Sequence, residues 1–325
     1  MNRKTFITSI SLLAGSALFR GASLFAQEQT KLSLYKRLTK TDMRNLSAER
    51  MEVLNEIQAI VNKLPNKDWG FFCQTNHPTP ARANFYRKKY EAIRLLEEAF
   101  AQQKKNILNS KATSGEVLLF HIYNMGYVVK TPTATFGIDV RHPQARELAD
   151  TLDFLLITHH HADHFDYPLI IEMQKRGKPV VSNFLNNDFN TWNKSEFAFG
   201  EIAIKTKPCD HNKNLPKFVI TYEIDCGKTT NNCILYHTGD AWDYKELTPT
   251  QTPDVFIPHL EIVDVHKAAE QFKPKAILMS HILELGHPPK GSRWKISFGL
   301  RRCKESPCKN AFLPLWGETY KVVKV

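Results

Sequence analysis

Two stretches near the start of the chain repeat apolar residues at intervals of three and four positions, which is the spacing of one helix face. The first stretch predicts an amphipathic helix over residues 47–64, which Pro65 ends. The second predicts a helix over residues 86–100, between a Pro-Thr-Pro break and a polar run near Lys104. We interpret them as a helical pair packed on a main domain, with a lid or substrate wall as the alternative.

After Gly115 the pattern changes to short β-rich segments separated by Gly and Pro turns. The predicted strands are residues 117–123, 127–130, 135–140, 152–158, 179–182, 201–205, 218–224, 233–237, 255–257 and 276–279. Helices are predicted at 169–175 and 264–272, each ahead of a short apolar strand. Two sheets with helices outside them account for this order, so the sequence predicts an α/β fold behind an N-terminal helical extension.

The first 26 residues have the pattern of an export signal. A positive start at Arg3 and Lys4 precedes an apolar stretch over 6–19 that is too short to span a bilayer, and small residues follow at 22–26. We therefore expect a signal peptide over 1–26 and an exported protein, periplasmic or secreted. The alternatives are an uncleaved anchor and a buried N-terminal helix.

The chain is basic, with a formal net charge of +11 over its 325 residues. Removal of Arg3, Lys4 and Arg20 with the signal leaves 41 basic residues against 33 acidic ones, a net charge of +8. A basic surface attracts anions of any kind, so we expect a small anionic substrate. Export argues against an intracellular nucleic-acid role, and we expect no nucleic-acid partner.

Six cysteines could be oxidised in an exported protein. Cys226 and Cys233 bracket a turn, and Cys303 and Cys308 are close in sequence, so these are the local disulfides that the spacing indicates. Free thiols are the alternative. The sequence contains no CxxC motif, so a zinc ribbon is not indicated.

Four potential metal ligands are compressed into residues 159–164, directly after an apolar strand. They are His159, His161, Asp163 and His164. Burying several imidazoles beside a carboxylate is costly unless something pairs with them, and a divalent cation does so most directly. This segment therefore predicts a metal site at a strand end, where ligands bind in mixed α/β folds.

The order of motifs over about residues 116–321 resembles the metallo-β-lactamase superfamily. The matching positions are Asp139 at the end of Phe-Gly-Ile-Asp, the HxHxDH run at 159–164, His211 after a strand, Asp240 in His-Thr-Gly-Asp, and His281 in Met-Ser-His. The resemblance implies a four-layer αββα sandwich over 114–325, preceded by a helical extension over 27–113. It also implies a metal-dependent hydrolase.

Carried over position by position, the resemblance implies two metal ions bridged by Asp240. The ligands of one ion would be His159, His161 and His211, and those of the other Asp163, His164 and His281. Asp139 would contact the ligands rather than the metal, and Asp163 would also orient the nucleophile as the catalytic carboxylate. Two cations about 3.5–4 Å apart can share a hydroxide whose pKa they lower. We expect zinc, with manganese or iron as alternatives.

Other polar residues give weaker signals. His287 competes with His281 for the last ligand position, and we keep it as a candidate substrate contact. We interpret the remaining histidines as satisfied core or surface residues; they are His121, His160, His237, His259 and His266. Residues 290–302 interleave five basic side chains with Trp294 and Phe298. We interpret this segment as a solvated face with two core anchors, and contact with an acidic membrane is the alternative.

Three functions remain open on the sequence alone. The first is hydrolysis of a lactone, an ester or a phosphodiester, which the resemblance favours. The second is a mononuclear-iron oxidoreductase of the persulfide dioxygenase kind, which would not need His164 and His281 as ligands. The third is a non-catalytic protein that the metal stabilises.

Overall fold

The structure is a computed structural model that describes residues 34–65, 80–262, 264–287 and 293–324. The predicted signal peptide and Cys73 lie outside the described residues. Within them, no helix is both long enough and apolar enough to cross a membrane.

The described residues form two mixed β-sheets. The strands are β1 Glu116–Tyr123, β2 Gly126–Lys130, β3 Thr135–Ile138, β4 Phe154–Leu156, β5 Val180–Val181, β6 Glu196–Phe199, β7 Ile202–Cys209, β8 Val219–Asp225, β9 Ile234–His237, β10 Val255–Ile257, β11 Ala276–Leu278, β12 Ala311–Phe312 and β13 Thr319–Val323. The first sheet has the order β13-β1-β2-β3-β4-β5 and the second β12-β11-β10-β9-β8-β7-β6. In each sheet an antiparallel half adjoins a parallel half.

Helices cover the outer faces of the sheets. They are α1 Leu34–Lys40, α2 Ala48–Asn62, α3 Pro80–Lys89, α4 Glu91–Asn109, α5 Tyr167–Lys175, α6 Val265–Phe272 and α7 Ile296–Glu305. Because side chains alternate along a strand, Val117 and Leu119 of β1 join the core between the sheets, whereas Leu118 and Phe120 join the core beneath the helices. The layers are therefore helix, sheet, sheet and helix, which confirms the predicted αββα sandwich with its N-terminal helices.

The prediction of one helix over 86–100 is wrong. Tyr90 has extended backbone angles, φ −122° and ψ 118°, and separates α3 from α4. The buried face of α4 then continues through Gln103 and Ile107, so this helix runs past the polar residues near Lys104 that were expected to end it. Sequence analysis also gave no strand for β6, β12 or β13 and no helix for α1 or α7.

The N-terminal helices are joined to the sandwich by a buried ion pair. Arg50 of α2 donates from Nη1 and Nη2 to the two carboxylate oxygens of Glu318, at 2.7 and 2.9 Å, and both side chains are almost fully buried. The same carboxylate accepts the main-chain N–H of Leu315 at 2.8 Å. The pair therefore connects α2 to the turn that leads into β13.

The basic segment after residue 292 is not simply a solvated face. Arg293 is buried and donates to the carbonyl oxygens of Leu64, at 2.7 Å, and Leu285, at 2.9 Å. Trp294 and Phe298 stack on each other at 5.3 Å between ring centroids, as core anchors would. The guanidinium is stabilised in this buried position by main-chain carbonyl groups, one of which follows the end of α2.

The cysteines of both suggested disulfides are free thiols in the structure. Cys226 and Cys233 are buried and face each other through a main-chain hydrogen bond, from the N–H of Cys226 to the carbonyl of Cys233 at 2.9 Å. Cys308 lies beyond α7, and its thiol contacts the carbonyl oxygen of Pro274 at 3.3 Å. Burial raises the pKa of Cys233 to about 12, so this thiol is a poor nucleophile.

Replacement Glu318→Ala is expected to lower the free energy of unfolding by about 3–5 kcal/mol, because it leaves a buried guanidinium without its counter-charge. The matched control is Glu147→Ala, which removes an exposed partner of Lys104 and is expected to change stability by less than about 1 kcal/mol. Urea unfolding followed by circular dichroism measures both. Equal losses in the two variants would contradict the importance of the buried pair.

Candidate metal centre

The histidine-rich loop begins where β4 leaves the first sheet and meets the second. The main-chain N–H of Ile220 in β8 donates to the carbonyl of Thr158 at 2.8 Å, and the Tyr222 hydroxyl donates to the carbonyl of Ile157 at 2.7 Å. These bonds join the two sheets at the point where the ligand run starts. The loop is therefore anchored to both sheets before its first histidine.

Arg141 anchors the other end of the loop, beyond the histidines. Its guanidinium donates to the carbonyl of Ala162 at 2.9 Å and to the carboxylate of Asp166 at 2.9 Å. Asp166 in turn caps α5 by accepting the N–H of Leu169 at 3.0 Å. The run 159–164 is thus held between a strand end and a helix cap, which fixes its side chains.

The other candidate ligands come from the ends of β7, β9 and β11. Asp240 follows Gly239, whose φ is +51° and whose absent side chain leaves room for Thr158; a Cβ there would lie 2.7 Å from that residue. His281 also has a positive φ, 67°, and its N–H donates to the carbonyl of Asn124 at 3.2 Å. The tight turn at Gly239 therefore sets the direction of the Asp240 side chain, and the left-handed backbone of His281 sets the direction of its own ring.

The structure brings all seven predicted ligands together. One group, with its candidate ligand atoms within 4.8 Å of one another, is His159, His161, His211 and Asp240. A second such group is Asp163, His164 and His281. Asp240 lies between the groups, with its carboxylate oxygens 3.6 Å from His211 Nε2 and 3.2 Å from His164 Nε2. This is the arrangement that the resemblance implies, although the role of each residue stays a prediction.

The polar atoms of these groups fit a cation. Five of them are buried without a hydrogen bond to any residue that the structure describes: His159 Nε2, His164 Nε2, Asp240 Oδ1 and both ring nitrogens of His281. Leaving such atoms without a partner costs about 1–3 kcal/mol each. Imidazole nitrogens combined with carboxylate oxygens form the donor set of zinc, manganese and iron sites, so the residues present suit a divalent metal.

The protonation states also suit metal binding. Burial, followed by the nearby His164, holds the pKa of His159 well below its ordinary value, and burial with His211 lowers the pKa of His161 to about 4. Burial would raise the pKa of Asp240, but neighbouring imidazoles, led by His164, outweigh it and hold that pKa well below its usual range. Neutral imidazoles and ionised carboxylates are the forms that bind metal.

His164 behaves in the opposite way. Burial lowers its pKa, but the carboxylates of Asp240, Asp163 and Asp139 together outweigh burial and raise the pKa well above the ordinary value. The negative charge at this point therefore attracts a proton when no other cation is present. A divalent ion would supply the same positive charge without protonating the ring.

Asp139 holds His164 in the orientation of a ligand. Asp139 is fully buried, and its Oδ2 lies 2.8 Å from His164 Nδ1, while its two oxygens also accept the N–H and hydroxyl of Thr158, each at 2.8 Å. A proton on Nδ1 leaves the lone pair of Nε2 directed at the centre. This geometry is the one expected for the supporting role predicted for Asp139.

Asn124 supports the second group, and sequence analysis missed it. Its Nδ2 donates to Asp163 Oδ2 at 2.9 Å, and its carbonyl accepts the N–H of His281. Asn124 therefore positions two residues of one candidate site. It lies in the turn between β1 and β2, and nothing in the local sequence distinguishes it from an ordinary turn residue.

Most of the extra histidines contact a main-chain or side-chain partner or lie at the surface, as expected. Buried His121 and His237 contact the main-chain carbonyls of Asn124, at 3.0 Å, and Met125, at 2.9 Å, through Nε2. His160 contacts the Tyr167 hydroxyl at 2.9 Å near the surface. His266 lies exposed on α6.

His259 does not match the interpretation as a satisfied or surface histidine. Its ring centroid lies 4.2 Å from that of His281, and one of its ring nitrogens lies within 4.8 Å of ligand atoms of Asp240 and His281. The available signal was its place directly after the strand at 255–257, as His211 and His281 follow theirs. The ring of His287 also lies 5.5 Å from that of His281, beside the centre but outside both ligand groups.

Comparison with known proteins finds likeness in structure only. No model of a protein family matches this chain, and no curated protein matches it. Among solved structures it is similar to Igni18, described as a novel metallo hydrolase, from Ignicoccus hospitalis, with 16% identity, a TM-score of 0.47 and coverage of 63% of this chain and 98% of that one. It is also similar to the metallo-β-lactamase fold protein YhfI of Bacillus subtilis, with 12% identity, a TM-score of 0.48 and coverage of 64% and 99%.

A third similar structure is CmlA, a diiron β-hydroxylase of Streptomyces venezuelae, with 12% identity, a TM-score of 0.46 and coverage of 66% of this chain and 55% of that one. At such identities and TM-scores these likenesses identify neither a metal nor a substrate for this chain.

Replacement Asp139→Asn is expected to weaken metal binding about 10–100-fold, because an amide cannot accept from His164 and from both donors of Thr158. Competition with a chromogenic chelator measures the affinity. Asp150→Asn is the control, since Asp150 is an exposed carboxylate paired with Arg176. Unchanged affinity in the Asp139 variant would show that it does not hold a ligand in place.

Proposed function

We propose that this chain is an exported metal-dependent hydrolase that holds two metal ions, zinc by preference, and acts on a small anionic lactone, ester or phosphodiester. One observation carries the proposal. Two ligand groups lie side by side, with Asp240 between them and with buried nitrogen and oxygen atoms that make no hydrogen bond within the described residues. A cation in each group would satisfy these atoms.

The centre has the exposure of a catalytic site rather than a closed structural one. The side chains of His211 and Asp163 are 21% and 15% exposed, whereas those of His159, His164 and His281 are buried. Structural metal sites are closed by protein, and catalytic sites keep an open position. The exposed members give a substrate access, which supports catalysis over a purely stabilising metal.

When bound, two divalent ions supply positive charge for the attacked group and lower the pKa of a water molecule. The residues of the chain do the rest. Asp163, held by Asn124 at 2.9 Å, can accept a hydrogen bond from that water and so orient it. The ring of Phe218 lies 4.9 Å from that of His161 and 6.1 Å from that of His211, and offers an apolar surface beside the open side.

The second ligand group favours two ions over a single iron. A mononuclear-iron oxidoreductase would not need His164 and His281, yet both are buried here and directed toward Asp163, at 3.5 and 3.3 Å. The Nε2 atoms of both rings are buried without a hydrogen bond within the described residues, which is costly unless a cation pairs with them. Metal identity and stoichiometry are proposals that elemental analysis tests.

Elemental analysis of the purified protein is expected to give about two zinc ions per chain, with turnover of at least one chromogenic lactone, ester or phosphodiester. His161→Ala and Asp240→Asn should lose metal and activity together, because each removes a ligand, while far-ultraviolet circular dichroism keeps its helical signal. His266→Ala is the control histidine and should retain both. Metal analysis by mass spectrometry and initial rates measure these effects.

Full activity at normal metal content in either ligand variant would refute the site. About one iron per chain would favour the oxidoreductase, and two zinc ions without turnover of any of these substrates would favour the stabilised, non-catalytic protein.

A further inference from the structure

His259 lies at the metal centre but cannot serve as a ligand in the form that the structure gives it. Its main chain is fixed by the ends of two strands, since its N–H donates to the Thr238 hydroxyl at 3.2 Å and the N–H of Leu260 donates to the carbonyl of Ser280 at 3.1 Å. The ring position therefore follows from the sheet. This brings the imidazole beside Asp240 and His281.

The proton on the ring can be located from one hydrogen bond. The main-chain N–H of Glu261 donates to His259 Nδ1 at 2.9 Å. A nitrogen that accepts a hydrogen bond carries no proton, so the neutral ring has its proton on Nε2. The same contact excludes the doubly protonated ring, because two N–H groups would then point at each other.

His237 shows the same pattern, and in this case the acceptor of the Nε2 proton can be seen. Its Nδ1 accepts the N–H of Gly239, two residues further along the chain, at 3.1 Å, and its Nε2 contacts the carbonyl of Met125 at 2.9 Å. In that arrangement Nε2–H is the donor. His164 is the contrasting case, since Asp139 accepts the proton of its Nδ1 and frees the lone pair of Nε2.

We propose that His259 is a hydrogen-bond donor to an anionic oxygen of the substrate, and not a metal ligand. Its Nδ1 lone pair is engaged by Glu261 and its Nε2 carries a proton, so neither nitrogen can coordinate a metal. Because Nδ1 is turned toward the main chain at Glu261, the ring nitrogen that lies beside Asp240 and His281 is inferred to be Nε2, which carries the proton. A phosphoryl or carboxyl oxygen placed beside Asp240 and His281 is the group that such a donor would bind.

His211 is a different case, although the side-chain amide of Asn212 lies 2.9 Å from its Nδ1. A side-chain amide can rotate and present its oxygen instead, which would place the proton on Nδ1 and free Nε2. The main-chain N–H of Glu261 has no such freedom. The donor role is therefore assigned to His259 alone of these two.

The test uses the full chain loaded with cobalt(II), whose visible absorption reports the ligand set, and inorganic phosphate as the anionic probe. His259→Ala is expected to keep about two cobalt ions per chain and an unchanged spectrum, but to bind phosphate roughly 10–100-fold more weakly, as expected when a hydrogen bond to a charged group is lost. His259→Gln, which restores an N–H donor, should recover part of that affinity. His281→Ala should lose about one cobalt ion, and His266→Ala should match the unchanged chain.

Loss of cobalt or an altered spectrum in His259→Ala would make His259 a ligand and overturn the inference. Unchanged phosphate affinity in that variant would also overturn it. The inference rests on the proposed metal centre, and the two can be told apart: no cobalt uptake by the unchanged chain would refute the centre itself, whereas uptake with a ligand-like loss in His259→Ala would refute only the donor role.

Discussion

The unpaired nitrogen and oxygen atoms at the edge of the sandwich are the constraint on which the rest of the structure depends. His159, His164 and His281 are buried where water cannot satisfy them, and they lie in the segments that follow the ends of β4 and β11. The parallel halves of both sheets place those ends at one edge, as expected for open sheets. Because the two sheets are bonded to each other at Thr158 and Ile220, the edge has little freedom to relax. The fold concentrates polar atoms that only a positive charge can stabilise together.

The position of the centre and the class of fold could be predicted from the sequence. The apolar strand before residue 159 and four ligand types within six positions predicted where the centre lies, because no ordinary core tolerates that combination. The alternation of short strands and helices predicted two sheets with helices outside. Strands with strong apolar runs, such as those at 117–123 and 255–257, fall within one residue of the observed elements. These features depend on local pattern, which a single chain displays directly.

Features that depend on distant partners could not be predicted from the sequence. Tyr90 interrupts a regular apolar repeat, and the last strand is short and half polar, so its pairing with β1 defines it more than its composition does. Arginine is typical of protein surfaces, but Arg293 is buried because main-chain carbonyl groups lie opposite its guanidinium. Asn124 acts through a turn whose geometry no spacing rule predicts. The place of His259 after a strand was visible in the sequence, but it did not distinguish this residue from a satisfied histidine. For Arg293 and the last strand, the missing information is a neighbour more than a hundred residues away. For Tyr90 it is a backbone angle, and for Asn124 it is the contact with His281.

The contact between Arg293 and the end of α2 bears on how this protein can be divided. Val61, near the end of α2, and Leu64, two residues beyond it, offer carbonyl groups to the guanidinium of Arg293, a residue that follows the last candidate ligand. A fragment starting at residue 114 would remove both acceptors and leave the buried guanidinium of Arg293 without them. The helical layer and the sandwich are therefore coupled through buried contacts, and a chimaera that exchanged the sandwich alone would lose them.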